Sequence, residues 1–114
     1  MTTCLFCDIA AGTTRAQIIL ENEHIVAFRD IRPVAPTHAL VVPKKHIAGV
    51  HDATPANAAM LGQLLLSARD AAEKLGLGDG GYRLVINQGA DAGQSVAHLH
   101  CHVLGGRPMQ WPPG

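Results

Sequence analysis

Between residues 93 and 106 runs Gly-Gln-Ser-Val-Ala-His-Leu-His-Cys-His-Val-Leu-Gly-Gly, and no other stretch limits the fold so sharply. Three of the chain's seven histidines, His98, His100 and His102, alternate there with Leu99, Cys101 and Val103. A period of two is the mark of a strand with unlike faces. It predicts a strand over residues 98–104, with Leu99, Cys101 and Val103 turned into a core and imidazoles and Leu104 on the opposite face. A lone strand histidine is ordinarily a half-buried side chain with one satisfied hydrogen bond. Three in strict alternation each need polar partners when covered, which fits that reading poorly. One ion shared by all three is also a poor fit. At ~3.3 Å per residue, His98 and His102 stand ~13 Å apart along the backbone, against metal–nitrogen bonds of ~2.0–2.1 Å. An adjacent pair could ligate. A row of imidazoles at different depths in an anion pocket accounts for the pattern better, because imidazole can act near neutral pH as acid, base or nucleophile.

The remainder of the chain must supply a sheet for that strand. With 114 residues and 47% apolar content, residues 1–114 are expected to form one domain around a single core. Nine basic residues balance nine acidic ones, so no field for nucleic acid or for an anionic membrane surface is expected. Apolar runs fall far short of the ~20 residues that span a bilayer. The start, Met1 to Cys7, has neither the charged opening nor the apolar run of a leader peptide. An odd set of three cysteines is no disulfide framework, and it points to a reducing, cytoplasmic location.

Residues 4–12 read as a short helix stopped by Gly12. Strands are expected at 18–20 and 24–29, joined by a tight turn through Glu21, Asn22 and Glu23. Pro33 and Pro36 make residues 30–37 an extended, rigid loop that delivers His38 to a strand over 39–42. One long helix follows, with Thr54 as N-cap, Pro55 in the first turn and Gly76 as the stop. Its apolar stripe is Met60, Leu61, Leu64, Leu65, Ala68, Ala71, Ala72 and Leu75, the pattern of a helix laid on a sheet. Another strand is expected at 82–87, and the tail from Gly105 to Gly114 is irregular. Short strands around one long and one short helix define an α+β fold with a mainly antiparallel sheet.

Several residues beside the histidines carry candidate chemistry. Gly93-Gln94-Ser95 is either an ordinary turn or a nest of amides for an anion, with one hydroxyl added. His38 and Asn87 stand at strand ends where they could face the same pocket. Trp111 either covers a sheet edge or interface, or reaches a substrate from a neighbouring subunit. Cys4-x-x-Cys7 has the spacing of half a zinc site, or is a pair of plain core thiols.

His98-Leu-His-Cys-His-Val-Leu104 resembles the His-x-His-x-His pattern of the histidine triad (HIT) family of nucleotide-binding proteins. The likeness extends to Asp30-Ile31, Ala35-Pro-Thr-His38, Val42-Pro-Lys-Lys-His-Ile47, Gly93-Gln-Ser-Val96 and Gly105-Gly-Arg107 through Trp-Pro-Pro-Gly114. Together these look like the Hint branch over nearly the whole chain. The resemblance implies a HIT-like fold with a five-stranded sheet, and a homodimer whose sheets join into ten strands. It implies binding of purine nucleotides such as AMP or GMP, and hydrolysis of nucleoside phosphoramidates or, more slowly, acyl-adenylates. His100 would then attack the α-phosphorus, His102 would face the phosphate oxygens, and His38 would support the relay. Ser95 would assist the leaving group, while the backbone around Gly93, Gln94 and Val96 would hold the phosphate. Asp30 would take the ribose hydroxyls, Phe28 and Ile31 would flank the base, Asn87 would bond near the phosphate, and Trp111 would approach the other subunit's site. In some bacterial relatives, and in the related galactose-1-phosphate uridylyltransferases, two cysteines and two histidines hold zinc. By that pattern Cys4, Cys7, His46 and His98 would form a structural site, with no cofactor needed for turnover. Ala97 departs from the larger residue common before the first triad histidine. The competing functions are a dinucleoside polyphosphate hydrolase of the Fhit type and a nucleotide-binding regulatory protein with incidental activity.

Overall fold

A computed structural model of the chain describes residues 4–114; Met1 to Thr3, which carry part of the leader expectation, lie outside them. A short helix, α1 (Leu5–Ala10), precedes two strands, β1 (Ile18–Glu21) and β2 (Ile25–Arg29). Asn22 makes the turn between them, its Oδ1 accepting from the backbone N–H groups of His24 and Ile25 at 2.9 Å each. Strand β3 (Thr37–Pro43), helix α2 (Ala58–Lys74), β4 (Tyr82–Val85) and β5 (Cys101–Gly105) complete the regular structure. The strands form one antiparallel sheet in the order β1-β2-β3-β5-β4.

Helix α2 is entered through a 3-10 turn at Pro55–Asn57, not directly from Thr54 as the spacing suggested. The Thr54 N–H donates to Asn57 Oδ1 at 2.9 Å, closing that turn back on its own start. At the other end Gly76 adopts a φ of 79°, and Leu77 N–H reaches the Ala72 carbonyl at 2.9 Å. That left-handed stop needs a residue without Cβ, as the sequence indicated.

Alternation divides the sheet between two cores. Ile25, Ala27, Ala39, Val41, Cys101 and Val103 pack beneath Leu64, Ala68, Ala71 and Ala72 of α2. Val26, Phe28, Leu40 and Val42 face the other way and receive Phe6 and Ile9 of α1. The expected stripe on α2 is narrower than its sequence: Leu65 is exposed, and so is Leu66. One residue on from buried Leu64 turns ~100° around the helix, which carries Leu65 off the sheet-facing side.

The histidine stretch differs from the expected strand in one respect. Regular pairing begins only at Cys101, and the chain bends at Val96–His98. There the Leu99 N–H donates to the Ile47 carbonyl at 2.7 Å, outside the sheet ladder. Because the segment opposite it bends away, β4 also ends early, at Val85 and not at Asn87. Leu99, Cys101 and Val103 are nonetheless buried in the α2-side core, as alternation required.

Candidate active site

Register places the pocket on the α1 side of the sheet. His102 in β5 pairs with Leu40 on one flank and Val85 on the other, and His38 stands two pairs further along, on the same face and opposite Leu104. A cavity of about 600 Å³ opens there, lined by His38, His100, His102, Phe28, Asp30, Ile31, Asn87, Ser95 and Val96 among others. Every one of these was named from sequence. Four expected contributors lie elsewhere: Gly93, Gln94, Trp111 and His98 do not line it. Gln94 instead braces the loop, donating to the Ala48 carbonyl at 2.7 Å and accepting from Gly89 N–H at 2.9 Å. Trp111 is 81% exposed, with Arg83 6.0 Å from its ring centroid. Leu5, Phe6 and Ile9 of α1 form a wall that was not among the expected site residues, and Arg15 and Arg32 also line the cavity.

Main-chain partners assign the protons of the imidazoles. The Val34 N–H donates to His38 Nδ1 at 3.1 Å, so His38 carries its proton on Nε2. That Nε2 lies 2.9 Å from His102 Nδ1 and 3.4 Å from Asp30 Oδ2. His102 Nδ1 therefore accepts, which leaves the His102 proton on Nε2. His100 Nδ1 lies 2.7 Å from the His98 carbonyl, which can only accept; its proton is on Nδ1 and its Nε2 carries the lone pair. The His100 and His102 ring centroids are 5.0 Å apart. Burial lowers the His38 pKa against the pull of Asp30. Burial also pushes His102 down to about 4, with His100 and His38 acting in the same direction and Asp30 opposing. The resting pocket thus offers an imidazole lone pair beside a neutral imidazole N–H.

His98 has turned to a second cluster. It is fully buried, and its Nε2–H donates to the Pro43 carbonyl at 2.8 Å. Its Nδ1 lone pair faces Cys4 Sγ at 3.2 Å, His46 Nδ1 at 3.2 Å and Cys7 Sγ at 3.4 Å. Ligand atoms of Cys4, Cys7, His46 and His98 all lie within 4.8 Å of one another. Bonds of ~2.0–2.3 Å about a tetrahedral ion would hold such donors roughly 3.3–3.8 Å apart. The backbone bond on the far nitrogen of His98 is the kind of outer contact that orients a ligating histidine. Burial, then Cys4 and Asp8, raises the Cys7 thiol to about 11 in the absence of an ion. Asp30, His38 and His102 form another close group within 4.8 Å, but there the shared atoms carry the hydrogen-bond relay just described.

A five-stranded antiparallel sheet with one long helix, bearing a histidine-lined pocket on the opposite face, defines an α+β protein of the histidine triad class. The HIT domain model matches residues 11–109. A HIT-like protein of Synechocystis is 49% identical over 110 residues, covering 96% of each chain. The crystal structure of a HIT family hydrolase from Legionella pneumophila is 50% identical, covers 98% of this chain and 100% of its own, and superposes with a TM-score of 0.95. A Zn-bound histidine triad family protein from Mycobacterium smegmatis is 36% identical over 92% of this chain and 76% of its own, with a TM-score of 0.77. The chain belongs to the HIT domain family.

Proposed function

We propose that this protein is a hydrolase that cleaves the P–N bond of purine nucleoside phosphoramidates through a nucleotidyl-histidine intermediate. One observation carries the reading: His100 commits Nδ1–H to the His98 carbonyl, so the nitrogen left for a substrate is the one with the lone pair. Its family neighbour from Legionella, described as a hydrolase, supports the general class.

The cavity suits a nucleoside monophosphate by its division of walls. Phe6, Ile9, Phe28 and Ile31 offer apolar surface for a base, and Asp30 is placed for ribose hydroxyls. His100 Nε2 attacks the α-phosphorus, the P–N bond to the amine breaks, and the amine departs with a proton that solvent supplies through the Ser95 hydroxyl. Ser95 lines the cavity beside His100 and His102 and assists that departure. The His102 Nε2–H, set by His38, meets the charge that grows on the phosphate oxygens. Water then cleaves the phosphorus–histidine bond, which divides one difficult displacement into two.

The protein also holds a structural zinc ion at Cys4, Cys7, His46 and His98, in keeping with the donor set and with the zinc-bound Mycobacterium relative. Bound there, zinc would tie α1 to the sheet and supply no chemistry to the pocket. Metal analysis of purified protein is expected to return about one zinc per chain; protein that is stable with none would remove the site. A homodimer is proposed across the free edge of β4, and the exposed Leu65 and Leu66 supply further apolar surface for association.

The deciding experiment compares adenosine and guanosine phosphoramidates with a diadenosine polyphosphate. Turnover of the phosphoramidates, abolished in His100→Asn with AMP binding largely kept, is the expected result. Near-normal hydrolysis by His100→Asn would remove the nucleophile assignment. Preference for the polyphosphate would redirect the substrate class.

A further inference from the structure

We infer that Arg15 and Arg32 make this pocket select guanine over adenine; the inference rests on the nucleotide reading given above and names its base. Both arginines line the cavity, and each adjoins a residue of its apolar end. Arg32 follows Ile31, which flanks the base in that reading. Arg15 precedes Ala16, which packs against the cluster of Phe6, Ile9 and Phe28. The two side chains are thus carried by segments that bound the base, and neither sits on the histidine stretch.

Both guanidinium groups are uncommitted. Lys44 and Arg69 pair with Glu21 and Asp70, whereas the side chains of Arg15 and Arg32 have no hydrogen-bond or ion-pair partner among the described residues. Asp30 is the one carboxylate lining the cavity among those residues, and both its oxygens are engaged. Its Oδ1 accepts the Arg32 backbone N–H at 2.7 Å, and its Oδ2 lies 3.4 Å from His38 Nε2. The first of these bonds also fixes where the Arg32 side chain leaves the main chain.

A guanidinium is a planar fork of N–H donors with no acceptor. Guanine presents two acceptors on one edge, O6 and N7, and they match that fork; adenine carries the N6 amine, a donor, in place of O6. Adenine therefore keeps one bond at N7 and sets donor against donor at N6, with no unengaged carboxylate in the cavity to take the amine. Both arginines are exposed, so the low end of bidentate discrimination applies, about 5- to 10-fold in affinity.

The test is calorimetric affinity for GMP, IMP and AMP, in wild-type protein and in Arg15→Lys/Arg32→Lys, with no turnover required. GMP should bind wild-type protein about 5- to 10-fold more tightly than AMP. IMP should follow GMP, because it keeps O6 and N7 and lacks the 2-amino group. Lysine keeps each charge and loses each fork, so the ratio of GMP to AMP affinity should fall towards one in the variant. Equal wild-type affinity for GMP and AMP, IMP that binds like AMP, or an unchanged ratio in the lysine variant overturns the inference. Arginines that act by charge alone give the last of these results. Circular dichroism checks that the variant is folded; should it not be, the wild-type ratios and the two single lysine variants decide. A GMP preference without phosphoramidate cleavage would sink the hydrolase reading and support this one, whereas binding of none of the three nucleotides would sink both.

Discussion

Replacing His38 by alanine removes a side chain that is 5% exposed and joins two partners of opposite character. The Val34 N–H loses its acceptor at 3.1 Å, and His102 Nδ1 loses its donor at 2.9 Å. His102 is then free to carry its proton on either nitrogen, and only the Nε2–H form serves the phosphate in the proposed mechanism. One net hydrogen bond contributes about 0.5–1.5 kcal/mol, and an orphaned buried partner costs about 1–3 kcal/mol. A barrier raised by about 1–3 kcal/mol slows turnover about 5- to 150-fold. The assay is kcat for adenosine phosphoramidate on protein shown by circular dichroism to be folded. His38→Gln is the informative partner, because an amide oxygen can accept from Val34 while the amide N–H donates to His102. The glutamine variant should stay within about fivefold of wild type, about the cost of one net hydrogen bond at most. Equal activity of the alanine variant and wild type would refute the relay. Alanine and glutamine variants that fall equally would refute the claim that bond direction is what His38 supplies.

The same imidazoles set an acid limit on the fold. His38 and His102 have folded pKa values below the unfolded value of ~6.5, so the unfolded chain binds more protons as pH falls below it. Stability from this source is complete above ~6.5 and is lost as pH falls towards the His102 value of about 4. His102 by itself accounts for at most about 3–4 kcal/mol of that loss, and His38 adds to it in the same direction. Urea melts at pH 7.5, 5.5 and 4.5 should show His102→Gln losing less stability on acidification than wild type, and identical slopes would contradict the assignment. In the α2-side core, Leu64 is fully buried, and Leu64→Ala should cost about 2–5 kcal/mol by chemical denaturation. A cost near zero would mean that α2 does not hold the sheet.

Much of this architecture is legible in the sequence because its signals are local. Alternation at 98–104 assigns Leu99, Cys101 and Val103 to the core, and Gly76 with its φ of 79° ends α2 where a glycine should. What is not legible depends on contacts between distant segments. The bend at Val96–His98 is made with Ile47 and Pro43, about fifty residues away, and it turns His98 from the shared face to the cysteine cluster, a grouping that the resemblance implied and strand alternation did not. The α1 wall was missed for a similar reason. Phe6 and Ile9 look like any core pair, and nothing near them in sequence says that the surface they cover borders a cavity. Leu65 was misplaced because an apolar stripe does not reveal its own width, and the boundary is drawn by the sheet.

Identical side chains reach different chemical states here because main-chain atoms choose for them. A carbonyl can only accept and an amide N–H can only donate. Pro43 O therefore leaves Nδ1 of His98 with the lone pair, His98 O leaves Nε2 of His100 with it, and Val34 N–H places the His38 proton on Nε2. Side-chain substitution at Pro43 or Val34 does not delete these groups; moving the backbone does. The proton arrangement of the pocket is consequently a property of the chain path. The segments to watch in any variant are the Val34 loop and the bend before Leu99, where a shift of about 1 Å would break bonds of this length without touching a histidine.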